Sequence, residues 1–555
     1  MDFDAILKHL GSFGKYQIIL YCCMGWQSIC VAMMNLSAVF FFYAPDFRCA
    51  IPGLENDTFD VVDAHHESLI NATIPPGETC KIYSAGGKGV NQTMEPCSSW
   101  VYDRSLFTST AVTDFDLVCN QEIFSSVVTM AYMFGFLCGG FIGGALTDRF
   151  GRLTVLVIGT FLQGAAAVGF ALSVNVYMLI AFRFLMGLFS MPAYAAAFVY
   201  AMEIVGPDRR TDVGLGIGIF YAFGTVFVTP LAYFIRNWVY LVIALTVPCL
   251  LIVPYWCLLP DSPRWLIAKG YKEAAVKFVK KAAKVNKKIV PEKLLQDDET
   301  DFKTIEDVPK GSIIEVFKNG SLLRRTAIVF FNWGAAAIGY YGLSLNSGNL
   351  VGDIFVNFLV QGAIEIPAIL FAMFTLDRIG RKGPHVFSIM LCGVSCLATI
   401  PVVFFADQSL NWLLVVLSNV GKLGVTAAFS IIYVYTAELY HTTVRSASIG
   451  VCAIGARVFS MAAPYIADLG KLIGGKYAQL LPLVIFGSAA IIAGFLACFL
   501  PETMGNDLPD TLEDALNLGK KSKKKGRKKE DQIPADNPGF VTNGDISLEM
   551  KEKKC

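Results

Sequence analysis

Apolar runs and short polar gaps alternate along most of this chain. Twelve runs stand out, at roughly 16–43, 124–147, 153–172, 177–202, 213–236, 239–259, 326–346, 354–375, 384–404, 412–436, 446–470 and 479–500. As helices, each can cross the roughly 30 Å hydrocarbon layer of a bilayer. Twelve runs of this length do not fit the packing of a soluble protein. The pattern predicts an all-α membrane protein with twelve transmembrane helices. Residues 1–15 are polar and mixed in charge, and the first run is too long for the apolar core of a signal peptide.

The polar gaps repeat. Asp148-Arg149-Phe150-Gly151-Arg152 returns as Asp377-Arg378-Ile379-Gly380-Arg381, and Tyr200-x-x-Glu203-x6-Arg210 returns as Tyr435-x-x-Glu438-x6-Arg445. The offsets, 229 and 235 residues, are about half the membrane part of the chain. One plan is therefore used twice, giving two pseudo-symmetric six-helix bundles, as in alternating-access carriers. The expected organisation is a cytoplasmic N-terminus 1–15, a first bundle 16–259 with an outer loop 44–123, and a linker 260–325. A second bundle 326–500 and a basic tail 501–555 complete it. Within the linker, Tyr271–Val285 has apolar positions at helical spacing and a lysine-rich opposite face. It reads either as an amphipathic helix under the bundle or on the leaflet, or as a solvated connector.

Composition agrees: 54% of residues are hydrophobic and 16% charged, against about 25% charged in soluble domains. Net charge is +1, but its distribution is informative. Residues 44–123 hold four Lys/Arg and twelve Asp/Glu, whereas residues 260–325 hold fifteen Lys/Arg. The run from Lys520 to Lys529 is more basic still. The positive-inside rule puts the linker, both repeated gaps and both termini in the cytoplasm, with the tail drawn to anionic inner-leaflet lipid. Cys49, Cys80, Cys97 and Cys119 share the outer loop, where an even number suggests two disulfides with three pairings open. Asn56, Asn71 and Asn91 begin glycosylation sequons there. Asn35, inside a run, and Asn319, on the cytoplasmic side, should be idle as acceptors.

Each repeated gap places an Asp and two Arg at a helix end. Asp148, Arg149 and Arg152, with Glu203 and Arg210, form one set; Asp377, Arg378 and Arg381, with Glu438 and Arg445, form the other. Such clusters can bond a neighbouring helix end or a carboxylate. They can also hold two bundles together in one state and release them in another, so they are expected to gate. Gly135, Gly139 and Gly143, with Gly140 and Gly144, read as a close helix crossing.

Deep charges are costly in a bilayer and persist only when paired or facing water. Glu365 lies near the middle of the eighth run and Arg457 near the middle of the eleventh. They read either as a structural ion pair or as cavity-lining groups. In the second case Arg457 takes a substrate carboxylate with its planar fork. Tyr340, Tyr341, Tyr221, Phe429 and Tyr433, at similar depth, would offer ring faces to a cationic head. Gln361 and Asn357 share the face of Glu365 at i−4 and i−8. Lys422 and Arg183 are further buried cations, expected to be structural or coupling groups. No Gly-rich loop ending in Lys-Ser/Thr is present, and the five histidines form no ligand-spaced cluster. Enzyme, ATP-driven and nucleic-acid readings find no support, and no cofactor or metal is expected.

Gly144-x-x-x-Asp148-Arg149-x-Gly151-Arg152, Pro260-Asp261-Ser262-Pro263-Arg264-Trp265 and Pro501-Glu502-Thr503 resemble the signatures of the major facilitator superfamily. Sugar porters share them but usually have a short first loop and a Gln-Gln-rich seventh span. Cys97-x-x-Trp100-x-Tyr102-Asp103 through Cys119 resembles the large loop of the organic cation, organic anion and carnitine transporters. Residues 421–445 and 352–357 are most similar to the carnitine/zwitterion and invertebrate organic cation branch. Organic cation transporters typically carry an aspartate at the position of Arg457, seven residues before Pro464. Organic anion transporters pair an arginine there with a lysine where this chain has Ile369. The resemblance therefore implies a plasma-membrane carrier of small organic cations or zwitterions. An organic anion or dicarboxylate exchanger using Arg457 is the alternative, and a non-transporting receptor or scaffold the remote one. Whether sodium or protons are coupled stays open.

Overall fold

The computed structural model describes residues 3–84, 93–291, 294, 319–405, 407–473, 480–505, 509 and 512–518. Asn91, most of the later linker and the basic run from Lys520 lie outside these residues. Twelve helices among the described residues are long and apolar enough to cross a membrane. Spans one to six are Lys15–Phe41, Cys119–Phe150, Arg152–Ala171, Val176–Glu203, Pro207–Phe234 and Trp238–Leu258. Spans seven to twelve are Gly320–Asn349, Ile354–Ile379, Lys382–Phe405, Trp412–Leu439, Ala447–Gly470 and Leu480–Ala497. They match the twelve apolar runs, with ends that move by a few residues because polar caps extend the helices past the apolar stretch. Asn319 shows this: its side chain accepts from Ser321 N at 3.1 Å and starts span seven. Asp353 caps span eight in the same way, accepting from Phe355 N at 2.7 Å.

Span two packs along span four in the first half, and span seven along span eleven in the second. The first crossing is backbone-close. A Cβ on Gly135 would overlap the Phe184 carbonyl, and one on Gly187 the Tyr132 carbonyl. Gly139 and Gly143 face Leu188 and Pro192 in the same seam. Gly144 has nothing within 4 Å and Gly140 only a methionine side chain, so these two lie off the contact. The halves meet through spans five and eight and spans two and eleven. On the outer-loop face Ser126 Oγ donates to Asp468 Oδ2 at 2.6 Å, and Phe40 packs on Phe358 at 4.9 Å between centroids. Toward the opposite face Leu215 packs with Ala372 and Leu376.

The outer loop is a small disulfide-bonded layer. Strand β1 (Phe47–Cys49) pairs antiparallel with β4 (Trp100–Tyr102), and β2 (Lys81–Tyr83) with β3 (Met94–Pro96). The pairings left open by sequence are Cys49–Cys97 and Cys80–Cys119. Arg48, Asp57 and His66 form a buried cluster behind β1, with His66 Nε2 3.0 Å from Asp57 Oδ1. Burial would raise the Asp57 carboxyl, but hydrogen bonds from Arg48, Ile51 N and His66 outweigh it and hold it below its ordinary value. Asn56 and Asn71 are both exposed beside this cluster.

On the other face the linker forms a helix, Lys272–Asn286, with Ala275, Phe278, Val279 and Ala282 buried. Its lysine face is outward. Of the two sequence readings, the packed amphipathic helix is the one observed. Asn286 fixes its end: Oδ1 accepts from Tyr16 N at 2.9 Å and Nδ2 donates to Gln17 Oε1 at 2.8 Å. The N-terminal helix Phe3–Leu10 packs alongside, burying Phe3, Ile6, Leu7 and Leu10.

Candidate functional site

The repeated motifs converge, once in each half. Arg152 Nη2 meets Glu203 at 2.9 Å and Asp148 at 3.1 Å, while Nη1 donates to Thr147 O at 3.1 Å. Arg381 repeats this with Glu438 at 2.9 Å, Asp377 at 3.9 Å and Leu376 O at 2.9 Å. Gly151 and Gly380 turn the chain at φ 96° and 113°, where a side chain would be strained. Neither has room for one: a Cβ would run into Asp261 and Glu502 respectively. Those carboxylates cap the following helices. Asp261 accepts from Arg152 N at 3.1 Å and Glu502 from Arg381 N at 2.9 Å. Tyr200 donates to Pro260 O at 2.8 Å, and Tyr435 to Pro501 O at 2.6 Å. Burial holds the Asp261 carboxyl above its ordinary value against the opposing backbone bonds. At Glu502, burial is outweighed by the N–H groups of Arg381, Met504, Lys382 and Thr503, and the carboxyl lies below it.

This arrangement corrects one expectation. Among the described residues the clusters do not bridge the two bundles in this state; each staples helices within its own half, on the carboxylates Glu203 and Glu438 that the sequence offers. Arg152 and Arg381 turn their Nε and Nη2 donors to Glu203 and Glu438 of the same half. The remaining arginines go elsewhere. Arg149 lies 5.4 Å from the Phe150 ring and Arg378 3.9 Å from Phe374. Arg210 pairs with Asp4 of the N-terminal helix at 3.1 Å, and Arg445 Nε donates to Tyr440 O at 3.3 Å.

The central residues also pair differently from one of the two readings. Glu365 bonds Lys422, not Arg457: Oε1 to Nζ is 2.9 Å, with both side chains almost fully buried. Tyr340 OH donates to the same Oε1 at 2.8 Å. Lys422 Nζ also donates to Ser344 Oγ at 2.6 Å and Tyr340 O at 3.2 Å, and lies over the Tyr340 ring at 3.3 Å. All three protons of the ammonium can thus find acceptors, which a buried ion pair requires. The pair joins spans seven, eight and ten.

Arg457 stands apart. Its Nη1 donates to Tyr341 OH at 3.0 Å, and its guanidinium lies 4.6 Å from the Phe136 ring of span two. Tyr194 of span four and Tyr433 are within electrostatic range. Among the described residues no carboxylate lies within salt-bridge distance of it. A wall of rings adjoins it: Tyr340 stacks on Phe429 at 5.9 Å, Phe429 meets Tyr433 at 5.5 Å, and Trp333 lies 4.2 Å from Tyr433. Tyr433 keeps 38% exposure at this depth, so the wall borders open space. Tyr221 meets Tyr340 across the halves at 6.5 Å and accepts from Asn35 Nδ2 at 3.2 Å. Gln361 is buried, and neither its amide oxygen nor its nitrogen has a partner among the described residues. Phe136, Tyr194 and Trp333 escape sequence reading, because only the fold brings the first two across from the other half. Arg183 is fully buried, donating to Met34 O at 2.9 Å and lying 4.8 Å from the Tyr132 ring.

The family described as "Sugar (and other) transporter" matches residues 84–514. The organic cation transporter protein of Drosophila melanogaster is 35% identical over 538 residues, covering 94% of this chain and 96% of its own. Organic cation/carnitine transporter 2 of Homo sapiens is 33% identical over 538 residues, covering 93% and 94%. The partially occluded inward-open xylose transporter XylE from E. coli aligns with a TM-score of 0.60 at 14% identity, covering 89% of this chain and 100% of its own. That likeness is one of fold. The chain belongs to the sugar (and other) transporter family of the major facilitator superfamily, among the organic cation and carnitine transporters, and is a multi-pass membrane carrier, not an enzyme.

Proposed function

We propose that this protein carries zwitterions with a carboxylate at one end and a substituted ammonium at the other, of which carnitine is the type. The observation behind this reading is the division of charge at the centre. Glu365 is already neutralised by Lys422, whereas Arg457 has a phenol and a ring as its nearest partners. The site thus presents one net positive charge with a fork suited to two oxygens. Phe429 and Tyr433, backed by the buried Trp333, offer ring faces that attract a quaternary ammonium at short range. The relatives named for organic cations and carnitine agree with that pairing. A purely anionic substrate would use Arg457 and leave the ring wall idle.

The outer loop, with its disulfides and exposed Asn56 and Asn71, then faces outside, as in a plasma-membrane glycoprotein. The linker and both termini face the cytoplasm, and solute and ion gradients drive the cycle. Uptake into proteoliposomes tests the reading. Labelled carnitine should enter, and Arg457→Ala should raise its KM roughly tenfold or more, as expected for loss of a charge-assisted bidentate bond. Labelled tetraethylammonium, which lacks a carboxylate, should be affected far less. Equal losses for both compounds, or uptake of aryl carboxylates alone, would sink the assignment. No uptake of any compound would favour the receptor reading.

A further inference from the structure

The seam between spans two and eleven runs from the central site to the outer-loop face. Span eleven carries Arg457, Pro464 and Asp468 at i, i+7 and i+11, which is one face of a helix. Span two carries Phe136, Thr129 and Ser125 at i, i−7 and i−11, again one face. The two faces meet at both ends. At the centre the Arg457 guanidinium lies 4.6 Å from the Phe136 ring. Near the outer loop Ser126 Oγ donates to Asp468 Oδ2 at 2.6 Å.

A polar cavity of about 70 Å³ lies at the outer end of this seam. Ser125 and Thr129 line it from span two, and Pro464 and Asp468 from span eleven, so it continues the same two faces outward. Phe42 and Tyr43, just past span one, add rings. Asn349 borders it at the end of span seven, with Nδ2 donating to Ala467 O at 3.1 Å. Asp468 is the only charged residue among the described lining residues. The space has room for about two waters and none for a substituted ammonium, so the seam is closed here. In this form the Ser126 hydroxyl occupies one carboxylate oxygen. Parting of spans two and eleven removes that donor and opens a path to Arg457 lined by the same faces. A carboxylate beside rings suits an ammonium group, just as the guanidinium at the centre suits a carboxylate.

We propose that Asp468 is the outer station of the carrier. It takes the ammonium end of an arriving substrate once spans two and eleven part, and Ser126 stands in for that ligand when they close. Eleven residues of helix set Asp468 about 16 Å from Arg457. That is too far for one compact zwitterion to hold both, so the two charges act in turn. The inference rests on the carrier reading above and adds a specificity-determining residue to it.

Uptake into cells expressing the full-length protein presents substrate to the outer face alone, with surface amounts matched by biotinylation. The probes are labelled carnitine and labelled tetraethylammonium. Asp468→Asn keeps an acceptor for Ser126 and removes only the charge. It should lower kcat/KM for both compounds about fivefold at low ionic strength, and the gap should close as salt screens the attraction. Asp468→Glu should restore most of the loss. Ser126→Ala, which removes the hydrogen bond and keeps the charge, should lower turnover and leave the salt dependence as in the unaltered protein. Unchanged kcat/KM and salt dependence in Asp468→Asn overturn the proposal, whatever Arg457→Ala does. A loss equal at every ionic strength overturns it too, because that marks a structural hydrogen bond. Equal losses of both compounds in Arg457→Ala would sink the zwitterion reading alone; the outer station stands if Asp468→Asn still shows the salt-dependent loss. Uptake of neither compound overturns both.

Discussion

At the scale of single residues, the Glu365–Lys422 pair shows how a charge survives in the bilayer. Each is tolerated because the other is there, and because Tyr340 and Ser344 take up the remaining hydrogen-bonding capacity. Removing one partner strands the other. Lys422→Met alone, or Glu365→Gln alone, should cost about 3–5 kcal/mol, read as a fall in melting temperature of the purified protein. The double variant should recover most of that loss; a double variant no better than the singles would show that the residues do not act as a pair. The sequence made both charges conspicuous, since ionisable groups in apolar runs are few. It could not say which pairs with which, because Lys422 and Arg457 are both candidate partners for Glu365 until helix rotation is known.

At the scale of elements, helices and caps were the most legible features. Apolar length gave the spans, and Asn319 and Asp353 now explain where two of them start. The glycine seam was legible in part: i, i+4 spacing marked Gly135, Gly139 and Gly143 together with Gly140 and Gly144, and only packing separates the sets. Gly135→Leu should therefore disrupt folding, by about 3 kcal/mol or more of overpacking, while Gly144→Leu should leave the elution profile and melting temperature unchanged. The disulfide pairing was not legible, because four cysteines in one loop admit every pairing until strands fix their neighbours. The loop also carries a pH dependence. The Asp57 carboxyl is lower in the folded state than its ordinary 3.8, so its contribution is complete above that value and is lost as pH falls through the depressed one. Hydrogen exchange across residues 48–66 should be flat from neutral pH down to about 4, after correction for intrinsic rates, and accelerate below it. Acceleration already at pH 6 would show that the Asp57 carboxylate does not set the dependence.

At the scale of the whole molecule, the repeat announced two halves and the structure shows what each repeat does locally. Tyr-x-x-Glu, Asp-Arg-x-Gly-Arg and the Pro-Asp or Pro-Glu segment are far apart in sequence, yet they close into one staple per half. The buried central charges break this symmetry, because the Glu365–Lys422 pair and Arg457 belong to the second half, and on the proposed function selectivity lies there. Staple and site should accordingly separate in kinetics. Arg152→Ala or Arg381→Ala should lower the turnover number of uptake with little change in KM, whereas Arg457→Ala should chiefly raise KM. Exchanging the charges, as Arg152→Glu with Glu203→Arg, should restore part of the lost turnover. A pure KM effect at Arg152 would show that the staple shapes the binding site.

That the staples close within each half has a consequence for how the polypeptide can be made. Among the described residues, the ion pairs, caps and tyrosine bonds described for each motif cluster join residues of one bundle only. A break in the backbone between residues 295 and 318 severs none of them. Two separately translated pieces, one ending and one beginning there, should each insert with its own cluster complete and find the other through the side chains of spans two, five, eight and eleven. Co-purification of the untagged piece with a tagged partner, and uptake only when both are present, would show that the continuous chain is a convenience of synthesis and that the working unit is a pair.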